Sequence, residues 1–169
     1  MNNNKLAKFF KNKKVVITGH TGFKGSWLAL WLNLLGAKVL GISLNLPTNP
    51  CHFKLLNFNK IKSKKIDIKN FKLISKEINR FKPDYVFHLA AQAIVKKSYF
   101  KPLETFTTNT IGTLNILESL KKVNKETISI IITSDKSYKN IETKKGYVES
   151  DILGGDDPYG TSKSAADII

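Results

Sequence analysis

Arginine is almost absent from this chain: of its 28 basic residues, only Arg80 is not a lysine. Cysteine is as scarce. The single Cys51 excludes an intramolecular disulfide framework and a cysteine-rich metal site, and the compartment expected from it is cytoplasmic. His20, His52 and His88 show no metal-ligand spacing, so no metal is expected. No apolar run reaches the roughly 18 residues that span a bilayer. Met1 to Lys14 is polar and lysine-rich and lacks the apolar stretch of a signal peptide. The expectation is a soluble chain with no membrane partner.

Acidic residues are few as well, 13 against 28 basic, giving a net charge of +15 and a pI near 9.8. Such charge invites a nucleic-acid reading. Base and phosphate readers, however, lean on the planar fork of arginine. The lysines are scattered along the chain among abundant Asn and Ile, and all three residue types have A/T-rich codons. Genome composition accounts for them, so no specific nucleic-acid partner is expected beyond weak binding at low salt.

With 169 residues, 41% of them hydrophobic and 24% charged, the chain suits one packed domain. Lys14 to Thr18 is a β-branched run, read as a buried strand ending at Gly19. Gly22 to Leu35 has Trp27, Leu28, Leu30, Trp31, Leu34 and Leu35 at helical spacing, and Gly36 supplies the stop. Trp27 and Trp31 are expected to pack this helix. Val39 to Leu44 reads as a second strand, Asn45 to Asn59 as a loop broken by Pro47 and Pro50, and Ser63 to Ile68 as a third strand.

Phe71 to Phe81 follows as a helix, Tyr85 to Leu89 as a fourth strand, and Thr107 to Val123 as a helix. Ile128 to Thr133 is the most hydrophobic strand, buried by its composition. A polar loop from Ser134 to Asp156 precedes a last helix near Asp157-Pro158, with proline suited to a first turn. Alternating strands and helices predict an α/β fold: a Rossmann-like, doubly wound parallel sheet in the order 3-2-1-4-5. The first and fourth strands then flank the switch point, where such sheets bind ligands beyond their carboxyl ends.

Gly19-His20-Thr21-Gly22-Phe23-Lys24-Gly25 joins the first strand to the first of these helices. Glycines at this spacing permit a tight turn, close approach of a pyrophosphate, and close helix-to-strand packing. The helix N-terminus adds free N–H groups and a positive dipole. A glycine-rich turn without a ligand is the competing reading; placement between strand and helix favours a dinucleotide. The acidic residue expected about 20 residues later is missing. Ser43 or Asn45 stands there instead, with no Arg or Lys between Ile42 and Leu46 to attract a 2′-phosphate, which favours NAD over NADP. Asp67, followed by Ile68, reads either as an adenine contact or as a helix N-cap.

Tyr159 and Lys163 stand four residues apart, on one helix face. A phenol of ordinary pKa, about 10, is a poor base near neutral pH. A neighbouring ammonium stabilises its phenolate and makes it suited to deprotonating a sugar hydroxyl. Alone the pair is a weak signal, common on surface helices. Following a dinucleotide loop, with a hydroxyl at Ser134 in between, it is much stronger.

Together these segments resemble the extended short-chain dehydrogenase/reductases, and within them the nucleotide-sugar 4,6-dehydratases, most of all the branch acting on CDP-glucose. The resemblance covers essentially the whole chain. It rests on Val16 to Leu28, Pro47 to Pro50, His88-Leu89-Ala90-Ala91-Gln92, Ser98-Tyr99, Thr108-Asn109, Gly112-Thr113, Thr133-Ser134-Asp135-Lys136 and Tyr159 to Lys163. The first segment and Ser134-Asp135-Lys136 are the specific ones.

The resemblance implies tightly bound NAD, a nucleotide-sugar substrate (CDP-glucose) and a homo-oligomer. It implies that Tyr159 takes the proton of the glucosyl 4-hydroxyl while hydride leaves C4 for NAD. The 4-ketone then acidifies the C5 proton, water is eliminated from C5 and C6, and the hydride returns to C6. Ser134 would hydrogen-bond the 4-oxygen, Asp135 would protonate the 6-hydroxyl, and Lys136 would be the C5 base where related dehydratases carry glutamate. A lysine base needs burial or nearby positive charge. The competing reading of Asp135-Lys136 is an exposed turn with a surface ion pair.

The implied cofactor contacts are Gly19, Thr21, Gly22, Phe23, Lys24, Gly25, Asp67, Ile68, Leu89, Ala90, Ala91, Gln92, Thr108, Thr133, Tyr159 and Lys163. Thr108 and Asn109 either hold the active-site backbone or the cofactor, or bond within their helix. Lys96 and Lys97 either face a substrate diphosphate or are solvated, and His20 and His88 read as structural. Residues 1–169 would form an incomplete NAD-binding domain, the substrate-binding portion lying in a C-terminal half not included. The Ile128 to Thr133 strand would then be left as a hydrophobic edge.

Overall fold

Five short strands run parallel in one sheet: β1 (Lys14–Thr18), β2 (Lys38–Ser43), β3 (Lys62–Lys65), β4 (Tyr85–His88) and β5 (Ile128–Ile131). Their order is β3-β2-β1-β4-β5, as the alternating pattern predicts. The computed structural model describes residues 3–56, 58, 61–142 and 144–169. β1 is central, and residues Val15 to Thr18 are wholly buried. Alternate side chains leave it on opposite faces. Val16 joins Leu40, Ile42, Val86, Ile74, Ile78 and Ile116 on one side. Val15 and Ile17 join Ala29, Leu32, Leu35 and Val39 on the other. Each fully buried Val or Ile contributes about 1.5–3 kcal/mol.

Helices α4 (Phe71–Phe81) and α7 (Gly112–Lys121) cover the first face. The second is covered by α2 (Phe23–Leu34) and by α1 (Asn3–Phe10). Gly36, at φ 83°, ends α2 as its sequence position requires. Asn70 caps α4, accepting from the Leu73 amide at 3.1 Å. Asp67 is not that cap; its carboxylate accepts from the Lys69 amide at 2.9 Å in the turn before.

The structure adds to or departs from the sequence pattern in several places, each for a physical reason. The lysine-rich leader is helical from Asn3, because Leu6, Ala7 and Phe10 share a face that packs on the second core. Trp27 and Trp31 are about half exposed, at 50% and 48%. The small residues Gly25, Ser26 and Ala29, with Leu32, form the buried face of α2 instead, because the helix lies close to the sheet. β5 is not fully buried: it is an edge strand, and Ile128 is 53% exposed.

The 45–59 loop holds a one-turn helix, α3 (His52–Leu55); Asn57 and Asn59 lie outside the described residues. The 134–156 loop holds a 3-10 turn, Asp135–Ser137, and Tyr138 bridges to Leu153; Thr143 lies outside the described residues. Helices α5 (Val95–Phe100) and α6 (Pro102–Phe106) lead into a π-helical turn, Thr107–Ile111, that runs on into α7. The last helix, α8 (Pro158–Ile168), is capped by Asp157, which accepts from the Tyr159 and Gly160 amides. Among the described residues no helix is long and apolar enough to cross a membrane, and no group of three or more His, Cys, Asp or Glu is placed to hold a metal.

Candidate active site

The glycine turn is packed so tightly that each glycine has its own reason. Gly19 lies at φ 73°, and a Cβ there would stand 2.8 Å from the Ala90 amide nitrogen. The end of β1 is thus pressed against the end of β4. A Cβ on Gly25 would meet the Gly19 carbonyl oxygen at 2.2 Å, so α2 starts against the turn itself. Gly22 is different: the sole atom a Cβ would meet within 4 Å is the Gly19 oxygen, at 3.2 Å. Its outer side is open, and the α2 N-terminus carries no side-chain cap. Uncapped N–H groups at an open helix N-terminus are what an anionic group requires.

Thr21 is held by the Ser43 hydroxyl on its amide, at 3.2 Å, and donates its own hydroxyl to the Asn45 carbonyl at 2.7 Å. Ser43 also meets His20 Nδ1 at 2.8 Å, and His20 Nε2 meets Ser63 at 2.7 Å. Burial lowers the His20 pKa, partly offset by a backbone hydrogen bond with Ile42. Of the two ribose candidates, Ser43 is therefore committed to the turn, and Asn45 is exposed. Phe23 and Lys24 project outward from the first turn of α2.

The end of β4 continues as Leu89-Ala90-Ala91-Gln92. The Ala90 amide donates to the Thr18 hydroxyl at 3.1 Å. Asn109, 1% exposed, clamps Gln92 from both sides. Its Oδ1 accepts from the Gln92 amide at 2.8 Å, and its Nδ2 donates to the Gln92 carbonyl at 3.1 Å. The same Nδ2 reaches the Ser162 hydroxyl of α8 at 2.9 Å. The Asn109 side chain thus bonds the Gln92 backbone rather than a group within its own helix. Thr108 stands half-buried beside it in the π-helical turn.

Lys163 is buried, with its Nζ donating to the Ile132 carbonyl at 2.9 Å, one residue before Thr133. Burial lowers its pKa, and the carboxylate of Asp167 partly opposes the shift. His88, 2% exposed, lies between the hydroxyls of Thr18 and Thr113, at 2.6 and 3.1 Å. Burial, reinforced by the charge of Lys163, pushes its pKa down to about 3. Tyr159, half-buried, sits one turn before Lys163 on α8.

The 3-10 turn is locked to the start of α8. Ser137 donates to the Ser134 carbonyl at 2.6 Å, and Ser164 donates to the Ser137 carbonyl at 2.6 Å. A Cβ on Gly160 would stand 2.8 Å from the Lys136 carbonyl oxygen. Ser134 donates its hydroxyl to Asp135 at 3.0 Å. Asp135 and Lys136 are both exposed at this turn.

The structure therefore gathers the glycine turn, the Leu89 to Gln92 segment, the Thr133 to Lys136 segment and Tyr159/Lys163 at the carboxyl end of the sheet. Asp67 is paired with Lys69 at 3.4 Å, and the Ile68 side chain is core, filling the space beside Gly112. The supporting groups Thr18, Thr113, Ser162 and Ser164 escaped the sequence reading. Their signal is weak: hydroxyls at strand ends and within helices whose neighbours are apolar.

Residues 16–169 match the family model described as GDP-mannose 4,6 dehydratase. The chain is 46% identical over 162 residues to CDP-glucose 4,6-dehydratase of Salmonella typhimurium, covering 95% of this chain and 45% of that one. It is 33% identical over 174 residues to CDP-paratose 2-epimerase of Salmonella typhi, covering 91% and 51%. UDP-glucose 4-epimerase of Thermus thermophilus, solved in complex with NAD, superposes with a TM-score of 0.79 at 27% identity, over 92% of this chain and 49% of that one. An epimerase of Methanothermobacter thermautotrophicus shares the fold at a TM-score of 0.85 and 24% identity, over 98% and 48%. The chain spans about half the length of the curated relatives it matches. A glycine turn, a clamped floor and a Tyr159/Lys163 helix at the switch point of a 3-2-1-4-5 sheet agree with these likenesses: the chain belongs to the extended short-chain dehydrogenase/reductase family of nucleotide-sugar dehydratases and epimerases.

Proposed function

We propose that the protein containing this chain is a CDP-glucose 4,6-dehydratase, converting CDP-glucose to CDP-4-dehydro-6-deoxyglucose and water. The observation that carries the reading is the 46% identity to an enzyme of that name across 95% of the chain. Identity to the other relatives is lower, 33% for the CDP-paratose epimerase and 28% for a dTDP-glucose 4,6-dehydratase of Sinorhizobium fredii. The run Ser134-Asp135-Lys136, locked against the start of α8, supports it.

The residues fit a dinucleotide. Gly19 to Gly25 offers an open, uncapped helix N-terminus for the pyrophosphate, and Leu89 to Gln92 forms a floor fixed by Asn109. Asn45 is free to meet a ribose hydroxyl without a cation to attract a 2′-phosphate, which favours NAD over NADP. When bound, NAD supplies a hydride acceptor at C4 and later a donor at C6.

The chain's own groups supply the proton transfers. Tyr159, with the ammonium of Lys163 one turn away, takes the proton of the 4-hydroxyl. Ser134 holds the resulting oxygen. The C4 carbonyl makes the C5 proton acidic, and Lys136 removes it. Asp135 delivers a proton to the departing 6-hydroxyl. Lys136 is exposed in this chain, open to the sugar it would deprotonate.

The reading is tested by incubating the intact protein with CDP-glucose, dTDP-glucose and GDP-mannose and detecting the 4-keto sugar by its ultraviolet absorbance in alkali. Preferential conversion of CDP-glucose is expected. Preference for another nucleotide sugar, or epimerisation without loss of water, overturns it.

A further inference from the structure

The hydrogen bonds around His88 have a polarity that can be read without seeing a proton. Thr113 has one hydroxyl hydrogen, and it is committed to the Asn109 carbonyl at 2.6 Å, a group that only accepts. Toward His88 Nε2, at 3.1 Å, Thr113 therefore offers a lone pair, and Nε2 carries the hydrogen. The imidazole is 2% exposed and shares its surroundings with the buried ammonium of Lys163. A second positive charge there would be uncompensated, so the ring is neutral and Nδ1 is bare. Thr18 then donates to Nδ1 at 2.6 Å, while its oxygen accepts from the Ala90 amide at 3.1 Å.

The result is one directed chain: Ala90 N–H to Thr18, Thr18 to His88, His88 to Thr113, Thr113 to the Asn109 carbonyl. It crosses from β1 through β4 to the π-helical turn. At its far end the Asn109 side chain holds both Gln92 and Ser162 of α8. Ser162 is the neighbour of Lys163.

We propose that His88 is a positioning residue: as the neutral Nε2–H tautomer it ties the backbone floor under the cofactor to the helix carrying Tyr159 and Lys163. The kinetic part of this proposal rests on the dehydratase reading; the tautomer rests on geometry alone. The two arms do different work. The Thr18 arm sets the Ala90 amide and so the cofactor floor. The Thr113 arm sets the Asn109 turn and so the placement of the base, where about 1 Å of error costs about a hundredfold in rate.

The test uses the intact protein. Nitrogen NMR of histidine-labelled protein, with the His88 signal identified by its loss in His88→Asn, is expected to show Nε2 protonated and Nδ1 bare at neutral pH. A proton on Nδ1, or on both nitrogens, overturns the proposal. Thr18→Val, nearly isosteric, is expected to weaken NAD binding by about tenfold. Thr113→Val is expected to lower kcat at saturating NAD by about tenfold or more.

His88→Asn keeps an acceptor near the Nδ1 position. It is expected to bind NAD as the parent does while showing the kcat loss of Thr113→Val. If all three variants lose only thermal stability, with NAD affinity and kcat unchanged, His88 is structural and the proposal fails. A parent protein that binds NAD but does not convert CDP-glucose removes the dehydratase reading, and the tautomer and NAD measurements still decide the role of His88.

Discussion

Lys163 donates its ammonium to the carbonyl of Ile132 at 2.9 Å, fastening the helix that bears Tyr159 to the end of the edge strand. The bond satisfies a buried cation with a neutral oxygen, so the positive charge remains available to Tyr159. Replacing Lys163 by methionine is expected to lower kcat by about 10²–10⁴, the range of a general base that has lost its activating charge. Tyr159→Phe should fall in the same range. Steady-state kinetics checks both, and wild-type turnover in either variant would remove the pair from the mechanism.

Gly22 and Gly25 should separate ligand binding from folding. At Gly25 an added methyl would lie 2.2 Å from the Gly19 carbonyl oxygen, a backbone atom, so Gly25→Ala is expected to destabilise the fold by about 1–3 kcal/mol. At Gly22 the sole contact within 4 Å is at 3.2 Å, so Gly22→Val should largely keep the fold while its side chain occupies the pyrophosphate space. Calorimetry with NAD, beside thermal melting, distinguishes the two. Unchanged NAD affinity in a folded Gly22→Val protein would contradict the cofactor assignment.

The Asn109 side chain makes three hydrogen bonds from a site 1% exposed. Asn109→Ala leaves the Gln92 amide and carbonyl unpaired, at a cost of about 1–3 kcal/mol for each buried group. Denaturant unfolding should show a loss of at least about 2 kcal/mol, and kcat should fall with it. Asn109→Asp, which keeps the acceptor for the Gln92 amide, should recover part of the stability.

Acid should weaken the fold through its histidines first. His88 titrates near 6.5 when unfolded and at about 3 when folded, so the unfolded chain binds the extra proton in that interval. The stability tied to neutral His88 is therefore complete above pH 6.5 and is lost as pH falls toward 3. The slope it contributes is at most about 1.4 kcal/mol per pH unit. His20, also lowered by burial, acts in the same direction. Asp84, despite partial burial, and Glu104 are held below their ordinary 3.8 and 4.5, by Lys125 and Lys97 among others. The upper part of the window thus belongs to the histidines. Urea melts from neutral pH to about pH 5 should show stability falling, less steeply in His88→Asn; equal slopes would contradict the buried neutral ring.

The strand order, the glycine turn and the Tyr159/Lys163 pair were legible because local signals carry them: β-branched runs, glycine spacing and a one-turn separation. For β5 two readings diverge: Ile128 to Ile131 has the composition of a buried central strand, while its place as the last strand of the order makes it the hydrophobic edge that is observed. Trp27 and Trp31 misled: periodicity finds the apolar face of α2, while the close approach demanded by Gly25 and Ala29 selects the small-residue face for burial. The Thr18–His88–Thr113–Asn109 network joins residues up to 95 positions apart in number, and no local pattern announces it.

Isotope transfer follows the proposed internal redox cycle on CDP-glucose from one carbon to another. The intact protein is supplied with CDP-glucose deuterated at C4 of the sugar, and the product is analysed by mass spectrometry and NMR. The account predicts a 4-keto-6-deoxy product, one water lighter, with the deuterium now at C6. Deuterium lost to solvent, deuterium still at C4 of an epimerised sugar, or no product from CDP-glucose while another nucleotide sugar is converted, would contradict it.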